Sequence, residues 1–254
     1  MVELRPPLHF AIHEKSPAMV PALLDCGVQA SAKDSNGFPA LTLGIIKGSL
    51  KIIDLLYQRG ASLNERGERP YPPIFAAVMT KQEHIIEWLL QKGVDARCIG
   101  AGGETPLYMA SKLGLSSVVR NLLAYFQLDV SEKCPEVNVA CAGKRTPLYV
   151  VVENEHLSVI NILVEAGADL DVEDSLFRTP LHLAGKHENK NVQEFLLEHG
   201  AQQPSPRSQP RDIIVVLENG MNLRATIAVQ GQSVLTNQDI TKFVQGLELP
   251  VKVK

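Results

Sequence analysis

The sequence predicts a mainly α protein: a solenoid of six helix-turn-helix repeats, followed by a small ββα(β) C-terminal segment. Three observations predict it: a proline-containing motif that recurs every 33 residues, a glycine twenty residues after it, and helical spacing of apolar residues between the two. The 254-residue chain is 45% hydrophobic and 21% charged, which provides enough apolar material for a packed core.

The first marker is a hexapeptide that opens the first helix of each repeat. Its six versions are PPLHFA, PALTLG, PPIFAA, TPLYMA, TPLYVV and TPLHLA. Proline suits the first helical turn, where its missing N–H forfeits no hydrogen bond. The second residue of the six versions is, in order, Pro7, Ala40, Pro73, Pro106, Pro147 and Pro180. Four of the five spacings between them are 33 residues and the fourth is 41.

The second marker is a glycine that ends the second helix, where the left-handed conformation costs glycine little. It stands at five positions, Gly27, Gly60, Gly93, Gly167 and Gly200. The fourth repeat has Phe126 instead and is followed by eight additional residues within 128–141. This longer loop is either a neutral insertion or a partner contact. Its Cys134 and Cys141 lack the further ligands that a zinc site needs, so we expect no metal there.

Apolar residues between the markers follow the helical period. First helices carry Leu8, Leu41, Ile74, Leu107, Leu148 and Leu181. Second helices carry adjacent pairs at 52–53, 85–86, 118–119 and 159–160. One repeat cannot bury such a face by itself, so neighbouring repeats must stack, and six exceed the minimum of about three.

The chain resembles the ankyrin-repeat family over about residues 5–201. The resemblance depends on TPLHLA at 179–184, ILVEAGADLDVEDS at 162–175 and LLEHGA at 196–201. It implies an L-shaped helix pair with a projecting β-turn in each repeat, and a concave face that commonly binds proteins. We therefore expect an ankyrin-repeat domain over 1–201.

The family register implies which side chains face that concave surface. Turn tips and the exposed side of the first helices line it, and apolar, aromatic and arginine residues there match the composition of interface hot spots. The predicted protein-binding residues are Phe38, Ile46, Arg69, Tyr71, Met79, Lys112, Leu113, Arg145, Leu176 and Arg178. The alternative is that some of them pack against neighbouring turns or a folded-back C-terminal segment.

No catalytic or cofactor site is predicted. His9 and His182 occupy the histidine position of the repeat motif, where the resemblance implies a structural link between adjacent turns. The sequence has no P-loop, GxGxxG, HExxH or GxSxG pattern. We therefore expect no enzyme activity and no cofactor.

Charge and composition limit the class of partner and the compartment. A formal net charge of −3 gives no strong field that would favour nucleic acid or an anionic membrane. No apolar run is long enough to span a bilayer, and the four sparse cysteines indicate a reducing compartment. We expect an intracellular protein, cytoplasmic or nuclear, that is monomeric when alone.

After the last repeat the composition changes. Residues 202–211 are rich in proline, serine and glutamine and predict a linker. Residues 212–254 predict a small ββα module, with strands at 213–217 and 222–229 around Asn219-Gly220, a helix from 236 or 237 to 246, and possible strand residues at 249–254.

Two functions remain open from the sequence. The first is a noncatalytic scaffold, an adaptor or inhibitor, that binds one or more partner proteins on the concave surface. The alternative is the substrate-targeting subunit of an enzyme complex, in which the C-terminal module recruits the active component. Deletion of residues 204–254 discriminates them, because only the targeting function predicts retained partner binding with loss of a downstream effect.

Overall fold

The computed structural model describes residues 6–16, 18–65, 72–127 and 135–203, together with the backbone of 211–217, 222–227 and 251–252. Contacts between residues group these into two compact units, one that ends at Asp169 and one that begins at Leu170. The boundaries predicted at 201/202 and 211/212 stay predictions, because residues 204–210 lie outside the described residues.

Each repeat contributes a pair of helices. The first helix of every pair has seven residues: α1 Pro7–His13, α3 Ala40–Ile46, α5 Pro73–Met79, α7 Pro106–Lys112, α9 Pro147–Glu153 and α11 Pro180–Lys186. The second helices are α2 Met19–Asp25, α4 Leu50–Gln58, α6 Glu83–Gln91, α8 Ser116–Gln127, α10 Leu157–Glu165 and α12 Lys190–Glu198. All six first helices begin at the position that the repeat motif predicts.

Stacking of successive repeats builds the core of the first compact unit. First helices contact one another in the order α1, α3, α5, α7 and α9, and among second helices α8 contacts both α6 and α10. The apolar residues predicted to point inward are buried, including Leu8, Ile74 and Leu148 at 0% exposure. In this unit the core therefore runs along the stack between the two rows of helices.

Threonine starts three of the first helices. The hydroxyl oxygens of Thr105, Thr146 and Thr179 accept hydrogen bonds from backbone N–H groups three residues later. Each side chain satisfies one of the donors that a helix start leaves unpaired, and the proline that follows needs no partner. The threonine-proline pair in TPLYMA, TPLYVV and TPLHLA is thus a helix start.

Side chains in the turns of three repeats form hydrogen bonds to the segment one repeat further along the chain. The Oδ1 atoms of Asn64, Asn138 and Asp171 each accept a hydrogen bond from the backbone N–H 31 residues later, all at 2.9 Å. Arg97 occupies this register position in the fourth repeat and forms an ion pair with Glu136 instead. Glu136 lies in a 3-10 turn, Pro135–Asn138. The predicted eight-residue insertion therefore has a described anchor on its C-terminal side.

The replacement of the capping glycine by Phe126 lengthens the second helix of the fourth repeat. α8 has twelve residues where α6 has nine, and the Phe126 side chain is 4% exposed. The guanidinium carbon of Arg97 lies 5.5 Å from the centre of this ring. Burial of the Phe126 ring beneath the Arg97 guanidinium stabilises the longer α8.

The predicted ββα(β) C-terminal segment is wrong. Among the described residues after Gln203 there are three strands and no helix: β1 Arg211–Leu217, β2 Asn222–Ile227 and β3 Val251–Lys252. They form an antiparallel sheet in the order β2-β1-β3, so the central strand is the first in sequence. Both Asn219-Gly220 and the expected helix, up to residue 246, lie outside the described residues.

Candidate protein-binding groove

A groove in the first compact unit lies over the first helices of three consecutive repeats. We call it the α3–α5–α7 groove, and its volume is about 460 Å³. Its lining contains four of the predicted binding residues. The lining residues are Phe38, Pro39, Thr42, Ile46, Phe75, Ala76, Met79, Glu104, Met109 and Lys112.

Two exposed apolar side chains at equivalent positions mark the wall of the groove. Ile46 ends α3 with 39% of its surface exposed, and Met79 ends α5 with 53% exposed. Beneath them Phe75 is fully buried and Thr42 is 4% exposed. An unbranched Met side chain adapts its shape to a partner, so this wall suits apolar contacts.

Hydrogen bonds hold the backbone of Phe38, another lining residue, in place. Its backbone N–H donates to Oδ1 of Asp34 at 2.8 Å, and Nε2 of His9 donates to its carbonyl oxygen at 2.8 Å. Asp34 lies in the same turn, whereas the buried His9 lies in the first helix of the preceding repeat. His9 thus ties adjacent repeats, as the family resemblance implies, and fixes one wall of the groove.

Two charged residues border the groove. Glu104 lies in the turn before α7, and its Oε2 atom accepts a hydrogen bond from the N–H of Gly102 at 2.9 Å. Lys112, exposed at the end of α7, has no ion pair with any residue that the structure describes. The groove is therefore mostly apolar, and Lys112 is the more exposed of its two charged lining residues.

The groove lining that the structure describes holds none of the other predicted binding residues. Arg69 and Tyr71 lie outside the described residues. Leu113 is half-buried directly after α7, and Arg145 forms an ion pair with Glu153 at 3.5 Å. Leu176 and Arg178 belong to the second compact unit.

Arg178 has a structural partner within its own turn. Its Nε and Nη2 atoms donate to Oδ2 of Asp174 at 2.9 and 2.6 Å, and the Asp174 side chain is 1% exposed. Oδ1 of Asp174 accepts backbone N–H groups from Leu176 and Arg178. The arginine thus neutralises a buried carboxylate that shapes the turn.

Sequence reasoning missed Met109, Ala76 and Phe75 as lining residues. Ala76 and Met109 are 33 residues apart and occupy the same place in α5 and α7, so the repeat register was a usable signal. Phe75 lines the groove although its side chain is fully buried, because it forms the floor. Only the packing of neighbouring helices reveals a floor residue.

Two titratable groups in the described part of the chain have clearly displaced pKa values, and both lie outside the groove lining. Burial raises the pKa of Tyr108 above the ordinary phenol range, with a further contribution from a hydrogen bond to Cys141. Burial lowers the pKa of His182, and the neighbouring Arg178 lowers it further. The described part of the chain contains no cluster of three or more His, Cys, Asp or Glu side chains that could hold a metal ion.

Comparisons with known proteins agree with this architecture. The family model "Ankyrin repeats (3 copies)" matches residues 131–206. Relatives include the nuclear factor NF-kappa-B p105 subunit of Rattus norvegicus (29% identical, over 57% of this chain and 15% of that protein) and ankyrin repeat and SAM domain-containing protein 6 of Danio rerio (29%, over 68% and 23%). A putative ankyrin repeat-containing protein of Treponema pallidum is 30% identical over 36% of this chain and 31% of its own length.

The family-model match over residues 131–206 and these relatives support an ankyrin-repeat family for this chain. Ankyrin repeats form a protein–protein interaction module, and the family is generally noncatalytic. The chain covers less than a third of the length of each of these three relatives. None of the helices that the structure describes has the length and apolar character needed to cross a bilayer.

Proposed function

We propose that the chain is a noncatalytic adaptor or inhibitor that binds a partner protein in the α3–α5–α7 groove. The observation that carries this is the pair Ile46 and Met79, large apolar side chains exposed side by side over a floor of buried Phe75. Exposed apolar residues are common when scattered singly, but residues that line one concave surface mark an interaction site.

The composition of the groove fits a protein partner. Aromatic and methionine side chains are enriched at the centres of protein interfaces, and the groove holds Phe38, Phe75, Met79 and Met109. The helix ends and the hydrogen-bonded turn at Phe38 hold these side chains on a rigid scaffold. A partner therefore meets a preformed surface and loses little additional conformational freedom on the side of this chain.

Several predicted contacts extend this site. Arg69 and Tyr71 precede α5 in the sequence of the repeat that carries Met79, and Leu113 follows Lys112, so we include all three in the proposed surface. Arg145, Leu176 and Arg178 are proposed contacts of a partner large enough to reach beyond the groove. The last of these is expected to contribute least, because Asp174 already engages its guanidinium.

Affinity purification from the native cell type tests the proposed site. The full chain is compared with the Met79→Asp variant and with Ile99→Asp, a matched control because Ile99 is 51% exposed and lies outside the groove lining. Circular dichroism and thermal unfolding establish that all three are folded. A partner that is lost with Met79→Asp and retained with Ile99→Asp supports the groove, whereas equal recovery from all three proteins contradicts it.

Once a partner is identified, the same variants separate an adaptor from an inhibitor. An adaptor forms a ternary complex with the partner and a second protein, whereas an inhibitor competes with that second protein for the partner. Size-exclusion chromatography of the three-component mixture distinguishes the two results. We place this activity inside the cell, in the cytoplasm or nucleus, with the chain monomeric before it binds; the rat relative is named as a nuclear factor subunit.

A further inference from the structure

The two charged residues that line the α3–α5–α7 groove differ in how accessible they are. Glu104 is engaged by the N–H of Gly102 in its own turn, whereas Lys112 is exposed and has no ion-pair partner in the described part of the chain. An occupant that fills the groove therefore meets the exposed ammonium group of Lys112 and a half-buried, hydrogen-bonded Glu104 carboxylate.

This positive end is built into the register of the repeats. Ile46, Met79 and Lys112 are the last residues of α3, α5 and α7, so the same position is apolar twice and then cationic. Lys47 follows Ile46 directly and Lys81 follows two residues after Met79, which adds cationic side chains along the same row of helix ends.

The equivalent helix end is acidic in the fifth repeat. Its equivalent position holds Glu153, the last residue of α9, and the carboxylate lies 3.5 Å from the guanidinium of Arg145. That ion pair compensates both charges. The lysines of the row therefore stand at or after the ends of α3, α5 and α7, whereas the charges at the end of α9 are paired.

We infer that the occupant of the groove is an apolar peptide segment that also carries a carboxylate, which meets Lys112. This inference rests on the proposed function and names the chemistry of the partner. A carboxylate beside the apolar side chains pairs with the available ammonium group, whereas a basic residue at that place sets two like charges against each other. Apolar contacts provide the affinity, and Lys112 selects the charge and the orientation of the segment.

A phage-displayed library of random 16-residue peptides, selected on the full chain, tests the inference. Clones that also bind Met79→Asp are discarded, so that the remaining peptides depend on the groove. A parallel selection uses Lys112→Glu, and Lys92→Glu is the matched charge reversal at an exposed lysine on the C-terminal side of α6, away from the groove.

The expected result is that Met79-dependent peptides from the full chain are enriched in Asp and Glu and those from Lys112→Glu in Lys and Arg. A synthetic acidic peptide is expected to lose about threefold to tenfold in affinity for Lys112→Glu and less than twofold for Lys92→Glu, as measured by fluorescence anisotropy. Met79-dependent peptides without a charge preference would overturn the inference that the occupant carries a carboxylate. The groove would still stand as a binding site. Absence of any Met79-dependent peptide would overturn the peptide occupant, while the affinity purification decides the proposed function independently.

Discussion

The imidazole of His156 caps the end of a helix in the preceding repeat: its Nε2 donates to the backbone carbonyl of Lys112 at 3.2 Å. The ring lies over Gly114, where a Cβ would come within 2.8 Å of Nδ1. Gly48 and Gln82 form a similar arrangement two repeats earlier, in which the Gln82 amide lies 3.4 Å from the carbonyl of Ile45, one residue before the position equivalent to Lys112. Both glycines therefore leave room for a side chain that links adjacent repeats.

Gly114→Ala is expected to lower the free energy of unfolding by about 2 kcal/mol. Gly114 has φ +69°, which strains any residue with a Cβ, and the new methyl group also overlaps the His156 ring. Gly93→Ala is the control, because Gly93 has φ +76° and nothing within 4 Å of an added Cβ, so only the backbone cost of about 1 kcal/mol applies. Urea unfolding measures both. Equal losses would show that the contact with His156 costs nothing, and a smaller loss in a His156→Ala background would assign the excess to the ring.

Lys81→Gly is expected to stabilise the protein by about 0.5 kcal/mol or more. Lys81 adopts φ +55° at the position where Gly48 and Gly114 stand in neighbouring repeats. Removal of the Cβ relieves about 1–2 kcal/mol of strain, which exceeds the entropy that glycine loses on folding. Lys92→Gly is the control at an exposed lysine with φ −84°, where no strain exists to relieve and a loss of stability is expected. Thermal unfolding compares the two, and a lower Tm for Lys81→Gly would contradict the strain.

The stability of the protein is expected to fall at acid pH partly through His182. Its pKa is lowered in the folded state from the ordinary 6.5, because burial and the charge of Arg178 disfavour the imidazolium. The unfolded chain then binds more protons between the two pKa values, so the contribution is complete above about pH 6.5 and is lost as the pH falls through the folded value. His182→Gln is expected to show a shallower decline in unfolding free energy from pH 7 to 5 than the natural chain. Parallel profiles would exclude this residue as a source of the pH dependence.

Removal of Arg178 is expected to cost about 1–3 kcal/mol, because Arg178→Ala leaves the 1% exposed carboxylate of Asp174 without its cation. Arg59→Ala is the matched control, since Arg59 pairs at 2.9 Å with Asp25 but both side chains are exposed, and such pairs contribute about 0–1 kcal/mol. Chemical denaturation measures both. If the two substitutions have the same small effect, Arg178 is available to a partner after all.

The repeat register predicted the starts of all six first helices, because proline and threonine act locally at a helix N-terminus. It also brought Phe38, Ile46, Met79 and Lys112 to one surface, since equivalent positions of stacked repeats must face the same way. Arg178 shows where register fails. The turn from Asp34 to Phe38 and the turn from Asp174 to Arg178 have the same backbone hydrogen bonds, yet the second ends in an arginine that binds its own aspartate.

The pairing of β3 with β1 was beyond prediction for a different reason. Alternating β-rich runs indicate that strands exist, but the pairing of β3 with β1 joins residues more than thirty positions apart, as in Leu217 opposite Val251. Local propensity carries no information about such nonlocal contacts. Phe126 is an intermediate case: its departure from glycine indicated a change at the helix end, while its burial against Arg97 required the structure.

The turn-to-turn hydrogen bonds from Asn64, Asn138 and Asp171 suggest a practical use for the chain. All three span 31 residues, and those from Asn138 and Asp171 keep that span after the longer loop. A fluorescent domain spliced between Gln127 and Pro135 is therefore expected to leave these hydrogen bonds in place. Such a fusion would make the chain visible in living cells.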